Sequence, residues 1–246
     1  MRYAKLLLTT AIVSIGLSNI ASAADLPTQT YTKAPAIVEA AYNWSGFYVG
    51  INGGGAISNI DWNADPFPGF PGGDEGSHNA SGGTVGAQFG YRWQMSSWVF
   101  GVEAQGNWAD FKGSNASLQF PGTTNQTKIG AFGLFTGQIG YAWDRALFYV
   151  KGGAAVTDNK YTSITTGPLG GIDTASETRW GAAVGVGFAY AFAPNWSLGF
   201  EYNHLFMGNN DVNSAAGFIA DHIKENVDLF TARLDYKFGG PVVARY

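Results

Sequence analysis

The sequence contains no cysteine. That excludes a disulfide framework and any lipid-modified cysteine, so packing and hydrogen bonding must hold the fold. Charge is scarce too, with Asp, Glu, Lys and Arg at 13% of 246 residues. Histidine occurs only as His78, His204 and His222, none at metal-site spacing, so no metal ligand set is expected. No apolar stretch past the N-terminus approaches the roughly twenty residues of a spanning helix. Gly-x-Ser-x-Gly and His-Glu-x-x-His are missing, and neither Gly53-Gly54-Gly55 nor Gly82-Gly83 leads into the Lys-Ser or Lys-Thr of a phosphate loop. No catalytic residues emerge, and an enzyme is not expected.

What is present begins with a sorting signal. Arg2 and Lys5 precede an apolar run from Leu6 to Leu17, and Ala21-Ser22-Ala23 closes it with small residues, the pattern of a cleaved signal peptide over residues 1–23. Cleavage removes two cations and no carboxylate, making the mature chain more acidic than its formal net charge of −4. Nucleic acid is therefore not an expected partner. Residues 24–43, with Pro27 and Pro35, show neither structural period and read as a periplasmic lead-in. Residues 44–246 form the remaining domain.

Aromatics make up 15% of the chain, glycine 35 residues, and mean hydropathy is −0.04. That mixture suits a membrane barrel, whose strands alternate apolar residues toward lipid with small or polar residues toward the lumen. Period-two alternation places strands near 44–57, 80–94, 97–110, 127–143, 146–157, 177–192, 195–207 and 225–238. Phe132 and Leu134 fall on the lumen side of the fourth, which calls for a bulge or a packed upper lumen. Arg92, Glu103, Lys151, Arg179, Glu201, Arg233, Asp235 and Lys237 share the parity of the small residues, giving a lumen charge network. A soluble lipocalin-like barrel would reverse that parity. Short joins near 94–97, 144–145 and 193–195 alternate with long ones near 58–79, 111–126, 158–176 and 208–224. The fold class is all-β: an eight-stranded antiparallel transmembrane up-and-down barrel with four long external loops and both ends periplasmic. Trp44, Trp93, Trp98, Trp143, Trp196 and Phe238 suit an aromatic girdle at the short-turn end, with Trp108, Trp180 and Phe206 at the other.

The segment WSGFYVGINGGG (44–55), the internal GYAWDRALFYVKGGAAV (140–156) and the closing LDYKFGGPVVARY resemble the small outer-membrane immunogenic proteins of alphaproteobacteria, porin-family or OmpA-like barrels. The resemblance implies a surface barrel of the bacterial outer membrane, with some relatives described as binding hemin or host surfaces and others as structural or weakly porin-like.

Eight strands enclose a lumen that side chains can fill, so a plugged barrel with a structural and surface-interaction role is the expectation. The alternative is a narrow conductance or a hemin-binding barrel, with a loop histidine or Tyr161 on the iron and Phe67, Phe70 and Phe218 covering the ring. No cofactor is otherwise expected. The partners expected are outer-membrane lipid and lipopolysaccharide, the barrel insertion machinery, and a host or extracellular ligand at the loops. The first long loop, with an acidic tip at Asp74-Glu75, suits a displayed surface.

Overall fold

Alternating side chains commit this chain to extended structure, because successive residues of a strand face opposite sides. The computed structural model describes residues 42–64, 71–118, 121–166, 170–213 and 220–239. These form eight strands: β1 (Gly46–Ala64), β2 (Gly73–Met95), β3 (Trp98–Ala116), β4 (Thr123–Trp143), β5 (Ala146–Thr165), β6 (Gly171–Ala193), β7 (Trp196–Asn213) and β8 (Ala220–Lys237). Each pairs antiparallel with its sequence neighbours, and β1 also pairs with β8, so the sheet closes without a free edge. The signal peptide, the lead-in before Tyr42 and the tail 240–246 lie outside the described residues.

The tight joins are Ser96-Ser97, Asp144-Arg145 and Pro194-Asn195, all at the end where β1 starts and β8 finishes. Ser96 and Asp144 take φ of 56° and 52°, the left-handed region that two-residue hairpin turns use. Connections at the opposite end are shorter than the sequence pattern implies. Much of 58–79, 111–126, 158–176 and 208–224 continues as strand.

The physical reason is a change of polarity along the strands, seen on β1, β3, β4, β5 and β8. Close to the tight turns, outward positions are apolar and inward positions polar, through Ile57 on β1, Val85 on β2, Trp108 on β3, Ala131 on β4, Val156 on β5, Trp180 on β6, Phe206 on β7 and Phe230 on β8. Most of these stretches match the about 9–11 residues that a tilted strand needs to cross a bilayer, and those of β4 and β6 run longer. Beyond them the alternation persists, and on β1, β3, β4, β5 and β8 the outward positions turn polar over apolar inward ones. Asn59, Asp61, Lys112, Lys128 and Lys160 point outward, while Ile60, Trp62, Phe111, Ile129 and Tyr161 are buried inside. The barrel therefore has a lipid-facing band and, above it, an outer segment organised like a water-soluble barrel.

Phe132 and Leu134 belong to this interior, at 5% and 0% exposure. Register shifts at Trp108/Phe111 and Ile129/Ala131 fall together just outside them, so β4 has both an irregularity and a packed upper lumen.

Trp44 departs from the girdle assigned to it. It is 2% exposed at the foot of the lumen, edge-on to Tyr42 with ring centroids 4.8 Å apart. It shares the parity of inward Tyr48, and its backbone N–H donates to Gln94 Oε1 at 2.8 Å, which turns the chain into the barrel. Trp93, Trp98, Trp143, Trp196 and Phe238 do face outward near the tight turns, and Trp108, Trp180 and Phe206 face outward at the far margin of the band.

Candidate functional site

The lumen is filled in layers. At its foot, Trp44, Val99, Leu147 and Ala189 form a small apolar cluster. Above it lie three cations, Arg92, Lys151 and Arg233, with three carboxylates, Glu103, Glu201 and Asp235, all buried. Lys151 Nζ stands 2.7 Å from Glu201 Oε2 and 3.1 Å from Glu103 Oε1. Arg233 bridges Glu103 and Glu201 and reaches Asp235 through Nε at 3.0 Å, while Arg92 lies 3.8 Å from Asp235. The charges balance, as burial demands, since an unpartnered ion in low dielectric costs several kcal/mol.

Two tyrosines tie the network to opposite walls. Tyr48 OH donates to Glu103 Oε2 at 2.7 Å, and Tyr149 OH to Glu201 Oε1 at 2.5 Å. Their rings rest on Gly90 and Gly187, where an added Cβ would come within 2.5 Å of Tyr48 and 2.4 Å of Tyr149. Glycine at these positions is thus the seat of a ring, a role seen where another group approaches the sheet closely. Arg92 stacks over Tyr48 at 4.1 Å. Gln88 Nε2 donates to Asp235 at 2.7 Å, and a chain of amides continues upward through Asn52 to Asn107.

Above the amides the lumen becomes apolar, closed by Leu134, Leu205, Leu229, Phe132 and Ile129 among others. Trp62 and Tyr161 meet edge to face across it at 5.8 Å.

Two residues assigned to the single charge network stand apart from it. Arg179 is in the outer segment, where Nη1 lies 3.4 Å from Glu225 Oε2 and donates to Tyr161 OH at 2.9 Å, and Nη2 donates to the Ile223 carbonyl at 2.8 Å. The separation follows from register, since the long apolar stretch of the lumen lies between the two levels. Lys237, beside the barrel foot, donates to the Asn43 carbonyl and lies 4.6 Å from the Tyr42 ring, making no ion pair with a described residue. Glu225 escaped the sequence reading although it shares the parity of Arg233 and Asp235; that parity was the signal.

The histidines do not converge. His78 faces inward on β2, with Nδ1 2.9 Å from Asn115 Oδ1. His204 faces outward on β7 within the band rather than in a loop, with Nδ1 2.7 Å from Asp228 Oδ1, which also accepts from Tyr202 OH at 2.6 Å. The side chain of His222 and the residues Phe67, Phe70 and Phe218 lie outside those described. Tyr161, above the band, is 2% exposed, and its burial raises the phenol's pKa, away from the phenolate that iron ligation needs. Among the described residues no cluster of three acidic or histidine side chains is placed to hold a metal ion.

A family model for the outer membrane protein beta-barrel domain matches residues 18–238. The 31 kDa outer-membrane immunogenic proteins of Brucella melitensis biotype 1 and Brucella suis biovar 1 are each 28% identical to the chain over 93% of its length and 98% of theirs. Among solved structures, the outer membrane protein OprG of Pseudomonas aeruginosa superposes with a TM-score of 0.49 at 16% identity, covering 81% of this chain and 99% of that one.

Proposed function

The chain belongs to the outer membrane protein beta-barrel family and is a protein of the bacterial outer membrane, and from that premise we propose that it is a closed, non-conducting barrel that anchors a rigid outer segment at the cell surface. Its role is then structural and adhesive: the band ties it into the membrane, and the outer segment meets extracellular ligands or host surfaces. The relatives named as immunogens fit such a display. No catalytic step is assigned.

The observation that carries this reading is the occluded lumen. A charge-balanced layer lies beneath an apolar core, and an ion crossing both would shed its water without replacement. The band is inserted by the cell's barrel insertion machinery, as for any strand-built membrane protein of this kind. Planar-bilayer recording of the refolded full chain tests the proposal. Silence across a wide voltage range is expected, and long-lived open steps carrying ordinary salt would overturn it.

A further inference from the structure

One side of the outer segment carries an arrangement that the sheet itself does not favour. Lys112, Lys128 and Lys160 are register partners on β3, β4 and β5, so three outward ammonium groups stand in a row across adjacent strands. Strands lie about 4.8 Å apart, and like charges directly opposite one another are destabilising. Asp110 offsets part of the row, 2.8 Å from Lys112 and 3.7 Å from Lys128, and those lysines hold its carboxyl below the usual range. Asp158, also outward, lies two residues below Lys160 on the band side. Lys160 makes no ion pair with a described residue, so the Lys128–Lys160 end keeps its charge.

The three lysines border a shallow groove of about 470 Å³ that also presents Thr162, Ser114 and Gln126. The groove lies above Trp108, Ala131 and Val156, the last lipid-facing residues of the same three strands, with Asp110 and Asp158 at the level between. Lysine stems extend along apolar surface and deliver their ammonium groups to the headgroup level. The charge is one-sided. At comparable height on the far side, Asp61 is the register partner of Lys224, and Asp228 and Asn226 flank them.

We propose that this row is a binding site for the phosphate groups of a phosphorylated glycolipid of the outer leaflet, whose acyl chains lie against the apolar band below. Phosphate accepts several charge-assisted hydrogen bonds and relieves the repulsion along the row. The site thereby fixes which face of the barrel collects anionic lipid.

The test uses the refolded full chain in phosphocholine nanodiscs and three probes: diphosphorylated lipid A, the same lipid enzymatically dephosphorylated, and inorganic phosphate. Diphosphorylated lipid is expected to bind about tenfold or more tightly than its dephosphorylated form, since at least one charge-assisted contact is lost. The combined K112Q, K128Q and K160Q variant, checked for folding by heat-modifiable migration, is expected to abolish that preference, whereas K224Q keeps it. Equal binding of the two lipids, or an unaltered preference in the triple variant, would overturn the proposal. So would displacement of the lipid by inorganic phosphate at matching concentration, which would identify a free-anion site.

Discussion

At the scale of single residues, the lumen is governed by the cost of leaving a buried charge alone. Arg233 contacts Glu103, Glu201 and Asp235 at once. Arg233→Met is therefore expected to destabilise the barrel by about 3–5 kcal/mol, measured by urea unfolding from phospholipid vesicles, and adding Glu103→Gln and Glu201→Gln is expected to recover part of the loss. Gly187→Ala forces a methyl into the Tyr149 ring and should cost about 1–3 kcal/mol in the same assay, with Tyr149→Ala in combination relieving the clash. The parity of the charged residues was readable directly, because an Arg or Lys facing lipid at mid-bilayer costs about 2–4 kcal/mol. Which charges meet was not readable. Arg179 and Arg233 have the same parity and the same chemistry, and only register places one beside Glu225 and the other beside Glu201.

At the scale of strands, the number of strands and the three tight turns were legible because short turns, lipid contact and alternation impose one consistent pattern. Strand ends above the band were less so. Loops were inferred where outward residues became polar, but an antiparallel strand whose two faces exchange polarity remains a strand when the inner face has something to pack against. Ile60, Trp62, Phe111 and Ile129 supply that packing. Trp44 shows the converse error: aromatic character near a membrane edge suggested the girdle, while its parity pointed inward. An Ile129→Asp substitution should leave the band intact but open the outer halves of β4 and β5. Hydrogen exchange would show faster amide exchange there, with protection unchanged from Phe135 to Trp143, because a carboxylate in that core has no partner.

At the scale of the molecule, one chain combines two barrels end to end, the lower one solvated by lipid and the upper by water, sharing a filled interior. Over most of the band no Asp, Glu, Lys or Arg faces outward; near its outer margin Asp228 of β8 does, paired with His204 of β7. The packed interior runs on from the band into the outer segment, as the proposed surface role requires of a part that holds its shape. The cysteine-free sequence offers a clean background for the most direct test, single-cysteine replacement read by a water-soluble thiol reagent and a lipid-phase quencher. Cysteines at Lys128 and Lys160 should react rapidly with the aqueous reagent, those at Phe135 and Val186 should be quenched only from lipid, and those at Phe132 and Leu134 should be shielded from both. A cysteine at Phe132 or Leu134 that reacts as fast as one at Lys128 would show a water-filled lumen and contradict the closed barrel.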